Sequence, residues 1–222
     1  MIKFDYIHHA CFTIGNKDTK IIFDPFLDGN PGGITPADVK VSYILVSHAH
    51  ADHLGSAVEI ALQNNATIIS TAEVAGLVAE KGAQAHAMHI GGTYDFPFGK
   101  VRVTPAFHGS GVPGGHACGF IVHFFGKTIY FAGDTSLFSD MKLLGEIENI
   151  DYAILPIGDN YTMGPDDAIE AVKLLQPRRV LPAHHSTWPL IAQDAAAWGR
   201  RVAAETSAQP VILKPGESCR LK

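Results

Sequence analysis

Apolar residues along the chain gather in short runs of strand length, separated by glycine, proline and small polar residues. Before residue 47, "IKFDYI", "CFTI" and "KIIFD" alternate or run apolar, with Gly15-Asn16-Lys17-Asp18 as a turn between the last two. A loop rich in proline and glycine, "DPFLDGNPGGITPAD", leads into the apolar strand "VSYILVS". Behind that strand, "LGSAVEIALQNN" sets Leu54, Val58, Ala61 and Leu62 at helical spacing. "ATIIS" followed by "TAEVAGLVAEKG" repeats the step from strand to helix. "KVRVTPAFHG", "GFIVHFF" and "KTIYFAGDT" predict three neighbouring strands, with Gly126-Lys127 as a tight turn. The pattern then alternates again. "YAILPI" reads as a strand, "GPDDAIEAVKLLQP" as a helix opened by Pro165 with Asp166 and Asp167 in its first turn, "RVLPAHH" as a strand, and "DAAAWGRRVAAET" as a helix. "PVILK" and "SCRL" are expected to close the chain as a strand pair.

Antiparallel strands and strand-helix units occur in both halves, which predicts a mixed α/β fold of two sheets packed face to face with helices outside, rather than one open parallel sheet. No linker separates the halves, so residues 1–222 are expected to form a single domain. Composition agrees with a packed globule: 46% of residues are hydrophobic and only 18% charged, which argues against long disordered stretches. The start, "MIKFDYIHHA", has neither a basic region before an apolar core nor a membrane-length run. Cys11, Cys118 and Cys219 are far apart and form no Cys-x-x-Cys pair. A cytoplasmic protein with reduced thiols and no membrane partner is the expectation.

The net charge is −5, and the paired basic residues Arg178-Arg179 and Arg200-Arg201 read as solvated ends of a strand and a helix, which disfavours a general nucleic-acid groove. Histidine is the outlier, and "VSHAHADHLG" concentrates it at a strand's carboxyl end. The pattern His-x-His-x-Asp-His should arise by chance in roughly one sequence of this composition in five hundred. Ionisable groups this crowded repel one another, or lose hydration, unless a cation organises them. The spacing favours two ions, with His48 and His50 turned to one and Asp52 and His53 to the other. Neither pair is a complete ligand set. His108 in "TPAFHG", Asp134 in "YFAGDT" and His184 in "VLPAHH" each follow an apolar strand, as the first cluster does, and are the candidates to complete it.

These residues resemble the metal motif of the metallo-β-lactamase superfamily, and the likeness runs from the first strands to "PAHHSTWP". Within it, "MHIGG", "AFHGS", "AGDTSLFSDM" and "LPIGDNYTMGPDDA" look like the small bacterial and archaeal metal-dependent hydrolases related to the ascorbate-phosphate lactonases. The resemblance implies a four-layer αββα sandwich. It also implies that His48, His50 and His108 hold a first divalent ion, that Asp52, His53 and His184 hold a second, and that Asp134 bridges both. His53, where true lactamases have cysteine, is similar to the hydrolase branches. His50, where the diiron flavoproteins have an acidic residue, disfavours a redox role.

Such a centre, with a bridging hydroxide, carries about one net positive charge and suits a small, anionic or polarised substrate: an ester, lactone or phosphoester. Asp52 is assigned to orienting the nucleophile and shuttling its proton. The ligand types suit zinc, ranked first, or manganese. A nucleic-acid phosphodiesterase with the same centre is the main alternative, and a purely structural metal site is another; assembly with further copies of the chain stays open. Beyond the ligands, Asp24 is balanced between orienting a ligand imidazole and capping the Asp24-Pro25 turn, and for His9 such an orienting role is the less favoured reading. His185 is balanced between a substrate donor and a surface residue. His116 reads as part of a flexible loop, and His8, His86, His89 and His123 as structural. Asp167 is read first as a helix-start charge.

Overall fold

The computed structural model describes residues 1–222. The long apolar runs become strands, and the strands sort into two seven-stranded sheets. In chain order the strands are β1 (Ile2–His8), β2 (Cys11–Gly15), β3 (Lys20–Phe23), β4 (Tyr43–Leu45), β5 (Thr67–Thr71), β6 (Gln84–Met88) and β7 (Thr93–Phe96). They continue as β8 (Gly99–Pro105), β9 (Cys118–Phe124), β10 (Lys127–Phe131), β11 (Tyr152–Pro156), β12 (Arg179–Ala183), β13 (Gln209–Pro210) and β14 (Ser218–Leu221). The helices are α1 (Ala51–Leu54), α2 (Ala57–Asn64), α3 (Ala72–Glu80), α4 (Met141–Ile147), α5 (Pro165–Leu175) and α6 (Ala195–Glu205). The chain divides into two units, one of residues 1–92, 109–118 and 213–222, the other of 93–108 and 119–212.

The sheet of the first unit has the order β14-β1-β2-β3-β4-β5-β6. β1 and β3 both run antiparallel to β2, while β3, β4, β5 and β6 are mutually parallel, with Ile22, Ile44 and Ile68 in register across three strands. The carboxyl ends of β1, β3 and β4 therefore share one edge. Ile22, Ile44, Val46 and Ile68 pack against Ile60, Val74 and Val78 of α2 and α3. On β1 to β3, Phe4, Phe12 and Phe23 stack in sequence, at 4.9 and 4.4 Å between ring centroids. Each such buried side chain contributes about 1.5–3 kcal/mol of transfer free energy.

The second unit's sheet has the order β13-β12-β11-β10-β9-β8-β7. β10, β11 and β12 are parallel, with Ile129 beside Tyr152 and Ile154 beside Leu181. β9 runs antiparallel to β10. β8 in turn opposes β9, because its first residue, Gly99, lies against the His123 carbonyl and its Thr104 lies against Gly119. The carboxyl ends of β8, β10, β11 and β12 thus also fall on a single edge. Helices α4, α5 and α6 cover one face through Met141, Leu144, Ile169, Val172 and Trp198, packed on Tyr130, Leu155 and Val180.

Several sequence expectations shift. "PVILK" and "SCRL" do not pair: β13 joins β12, and β14 joins β1 in the other sheet. The tight turn between β9 and β10 centres on Phe125-Gly126, both at positive φ, one residue before the expected place. β6, β7 and α4 carry no element in the sequence reading. The helix after the histidine cluster starts three residues early, at Ala51, and is interrupted at Gly55 before α2.

Two glycines inside helices make opposite predictions. A Cβ on Gly145 of α4 would stand 2.4 Å from the Leu175 carbonyl oxygen at the end of α5, so Gly145→Ala should destabilise by about 1–3 kcal/mol through overpacking. Gly76 of α3 has nothing within 4 Å of that position, and Gly76→Ala should stabilise by about 0.5–1 kcal/mol. Urea denaturation of both variants checks the pair; equal shifts of the same sign would refute the packing described for α4.

Candidate metal centre

In the first unit, the centre is built around a fully buried carboxylate. Asp24 follows β3, and its amide donates to the Leu45 carbonyl of β4 at 2.9 Å. Its Oδ1 accepts the Ser47 amide at 2.7 Å, and its Oδ2 accepts both the Ser47 hydroxyl and His53 Nδ1, each at 2.6 Å. Burying a carboxylate without such donors would cost on the order of several kcal/mol. Here three donors offset that cost.

The same bonds assign the imidazole tautomers. The one hydroxyl proton of Ser47 goes to Asp24, so toward His48 Nδ1, 2.9 Å away, the Ser47 oxygen accepts and Nδ1 holds the proton. In the neutral ring, the lone pair of His48 is then on Nε2. His53 donates a hydrogen bond from Nδ1 to Asp24, which in the neutral ring likewise leaves the lone pair on Nε2. His50 Nδ1 stands 2.9 Å from His48 Nε2, with the two rings edge to face.

One turn on, α1 presents Asp52 and His53. The Asp52 Oδ2 atom is 3.2 Å from His9 Nε2 and 3.7 Å from His53 Nε2. His9 sits at φ 54, directly after β1, with its carbonyl accepting the Tyr6 hydroxyl and its ring edge-on to Phe26. Helix α1 stops after this turn because Gly55 approaches the loop after β3. At φ 40, a Cβ there would lie 2.5 Å from the Pro25 carbonyl oxygen, which also accepts the Ser56 amide. A third connection comes from the segment after residue 108, where the Ala49 amide donates to the Ser110 carbonyl at 2.7 Å.

In the second unit, His108, Asp134 and His184 follow β8, β10 and β12. Asp134 is nearly fully buried, and its Oδ2 atom lies 3.6 Å from His108 Nε2 and 3.1 Å from His184 Nε2. One carboxylate oxygen flanked by two imidazole nitrogens is the arrangement a shared ligand needs. Thr135 fixes the surroundings: its hydroxyl accepts the Phe107 amide at 3.0 Å and donates to the Ser136 carbonyl, while its own carbonyl accepts the Met163 amide at 3.0 Å. His184 adopts φ 49, and Trp188 packs edge-on to its ring.

Every ligand expected from the sequence thus stands at a strand's carboxyl end, or one turn beyond it. His48, His50, Asp52 and His53 are gathered in the first unit, and His108, Asp134 and His184 in the second. Asp24 and His9 both touch these residues; the sequence left Asp24 balanced and favoured the ordinary reading of His9. Ser47 was not singled out; a hydroxyl directly before a ligand histidine was the available signal. Burial, together with neighbouring His184, lowers the His185 pKa to about 4, so it is neutral at pH 7, and its Nδ1 is 3.1 Å from Ser186 Oγ. His8 is buried with Nε2 donating to the Phe26 carbonyl, and His123 pairs with Glu148. His116 is exposed, with its ring 5.7 Å from that of His89, and Asp167 is exposed on α5. Burial, with Asp24 nearby, pushes the Cys11 and Cys118 thiols well up, so neither offers a thiolate. Imidazole lone pairs and carboxylate oxygens without thiolate are a donor set that fits divalent cations of the zinc and manganese type.

The pattern of the beta-lactamase superfamily domain matches residues 19–185. A UPF0173 metal-dependent hydrolase of Natranaerobius thermophilus is 52% identical over 221 residues, covering 99% of this chain and all of that protein. A second, YtkL of Bacillus subtilis, is 48% identical over 207 residues, covering 89% of this chain and 91% of that protein. Among solved structures, Igni18, described as a novel metallo hydrolase from Ignicoccus hospitalis, superposes with a TM-score of 0.92 at 33% identity, over 98% of this chain and 97% of that one. The mixed α/β fold of two sheets and helices is therefore that of the metallo-β-lactamase type. No helix is long and apolar enough to cross a membrane. With ligand-type side chains at matching strand ends, and close relatives aligned from end to end, this chain belongs to the beta-lactamase superfamily, among its metal-dependent hydrolases.

Proposed function

We propose that the seven side chains serve one centre for two divalent cations, and that the protein hydrolyses a small ester, lactone or phosphoester. His48, His50 and His108 would hold one ion, Asp52, His53 and His184 the other, and Asp134 both. The observation that carries this reading is the bonding around Asp24, which leaves Nε2 of His48 and of His53 in the ligating form. The flanked Oδ2 of Asp134 supports the shared role independently. When bound, such ions supply hydroxide at neutral pH and polarise the carbonyl or phosphoryl oxygen under attack.

Asp52 is partly exposed, and its Oδ2 faces His9 Nε2. This supports the reading in which Asp52 orients the attacking group and carries its proton to the departing oxygen, with His9 holding the carboxylate in position. The net charge of −5 supports a small anionic substrate over nucleic acid as the partner, since the positive charge comes from the centre rather than from a basic track. Free cysteines, two of them buried, support a reducing cytoplasmic setting. Zinc ranks ahead of manganese.

Protein reconstituted with zinc or manganese should hold about two metal equivalents per chain by elemental analysis, and chelation should abolish turnover of a lactone and phosphodiester panel that metal restores. His48→Ala and Asp134→Ala should each lower kcat/KM by roughly a hundredfold or more. Turnover surviving chelation, or left intact in both variants, would remove the basis of this reading. Asp24→Ala should weaken metal binding by roughly 10–100-fold, as loss of a partner orienting two ligands does. Asp167→Asn, on an exposed turn, should change metal affinity by less than about twofold, and competition with a chelating dye separates the two.

A further inference from the structure

The second unit displays large apolar side chains at the edge that bears its metal-ligand candidates. Phe107 immediately precedes His108 and is 63% exposed. Tyr161, in the loop after β11, is 51% exposed, and Leu190, in the segment after His184, is 58% exposed. β8, β11 and β12 end on the same edge, so the three side chains are carried by segments leaving the edge that also bears His108, Asp134 and His184. Exposed apolar residues scattered singly need no explanation. A group of them collected where a centre presents its ligands does.

These side chains are not on slack loops. The Phe107 amide donates to Thr135 Oγ1 at 3.0 Å, and its carbonyl accepts the Ser136 amide at 3.4 Å. Its ring packs on Phe138 with centroids 5.4 Å apart at 56°, so one face is supported and the remainder faces outward. The loop carrying Tyr161 is tied to the same point by the Met163 amide on the Thr135 carbonyl. The segment carrying Leu190 is closed by the Ser186 amide on the Ile191 carbonyl at 2.7 Å, and Gln193 Nε2 anchors it to the Gly158 carbonyl. The backbone bonds fix where the side chain starts, and the packing of the ring on Phe138 limits the rotamer freedom it has to lose when a ligand covers it. Backbone and side-chain groups of these loops tie them to one another, and Phe107 and Leu190 present hydrocarbon beyond those ties.

The geometry points to a substrate with two chemically distinct ends: an ester, lactone or phosphoester head for the centre and a bulky aromatic or alkyl substituent beside the scissile bond. Phe107 is the wall that selects for the substituent, supported by Phe138. This rests on the metallohydrolase reading and narrows its substrate class. Small, fully polar substrates gain nothing from the wall and are the poorer class.

Phosphonates test this without knowledge of the true substrate, because methylphosphonate and phenylphosphonate share a head and differ in the apolar group. Titrated into metal-loaded protein, phenylphosphonate should bind about tenfold or more tighter than methylphosphonate, as expected for covering a ring against an apolar wall. Phe107→Ala should reduce that ratio to about twofold or less, whereas Leu143→Ala, an exposed apolar residue on α4, should leave it at the wild-type value. Equal affinities in the wild type overturn the proposal, and so does a ratio that Phe107→Ala leaves intact. Failure of both phosphonates to bind also overturns it, and metal content then locates the fault: a metal-loaded protein condemns only the substrate class, a metal-free one the centre itself.

Discussion

A carboxylate with no access to water, held by three hydrogen-bond donors, is the constraint on which the first unit's chemistry depends. The Ser47 amide, the Ser47 hydroxyl and His53 Nδ1 all point at Asp24, and losing any one of them would leave a buried acceptor short of a partner. Those donors lie on different segments, since Ser47 is in the connection after β4 and His53 lies on α1. Satisfying one buried charge therefore sets the path of the chain from strand to helix. It also puts a proton on Nδ1 of both rings, on His48 because the serine hydroxyl can donate only once and on His53 because Nδ1 faces the carboxylate. The structural requirement and the placing of the ring proton on Nδ1 of His48 and His53 are two results of the same hydrogen bonds.

Strand direction explains why such a network can form at all. Parallel strands bring successive carboxyl ends to one edge, and the loops leaving that edge are free of ladder hydrogen bonding. Here the edge takes His9 after β1, Asp24 after β3 and Ser47-His48 after β4. In the second unit it takes His108, Asp134 and His184. Three of these residues, His9, Asp24 and His184, adopt positive φ without being glycine. Such a conformation costs about 1–3 kcal/mol at a residue with a Cβ. It is retained where turning the chain sharply at a strand end aims a polar side chain across the edge instead of along it.

The parts of this arrangement legible in the sequence were those with a repeated local signature. An apolar run followed at once by His or Asp occurs at "VSHAH", "TPAFH", "YFAGD" and "VLPAH", and each run became a strand that delivers its residue to a sheet edge. Elements lacking such a signature were missed. β6 is an edge strand with only Met88 buried, so its alternation is blurred. α4 spans seven residues and leaves Leu143 and Ile147 exposed, which removes the polar face that marks an amphipathic helix. "PVILK" has strand composition, but only Gln209-Pro210 pairs. Propensity could not reveal that the preceding residues would find β12 first. Ser47 was invisible for a different reason: its role comes from a donor count around Asp24, 23 residues away, and no window of local sequence contains both.

The second unit solves the positioning problem with a neutral residue instead of a charge. Thr135, fully buried beside Asp134, uses its hydroxyl as acceptor and donor and its carbonyl as acceptor, so that Phe107, Ser136 and Met163 are fixed to one point. A hydroxyl of this kind is satisfied at far lower desolvation cost than a carboxylate. The consequence differs as well. Around Asp24, side chains are bound to side chains and their tautomers are set; around Thr135, backbone is bound and side chains are released. Phe107 can be rigid and exposed together for that reason, since its main chain is held at both amide and carbonyl while its ring rests on Phe138 alone. A buried threonine next to the candidate ligand Asp134 therefore ties that carboxylate's surroundings to the apolar surface beside it.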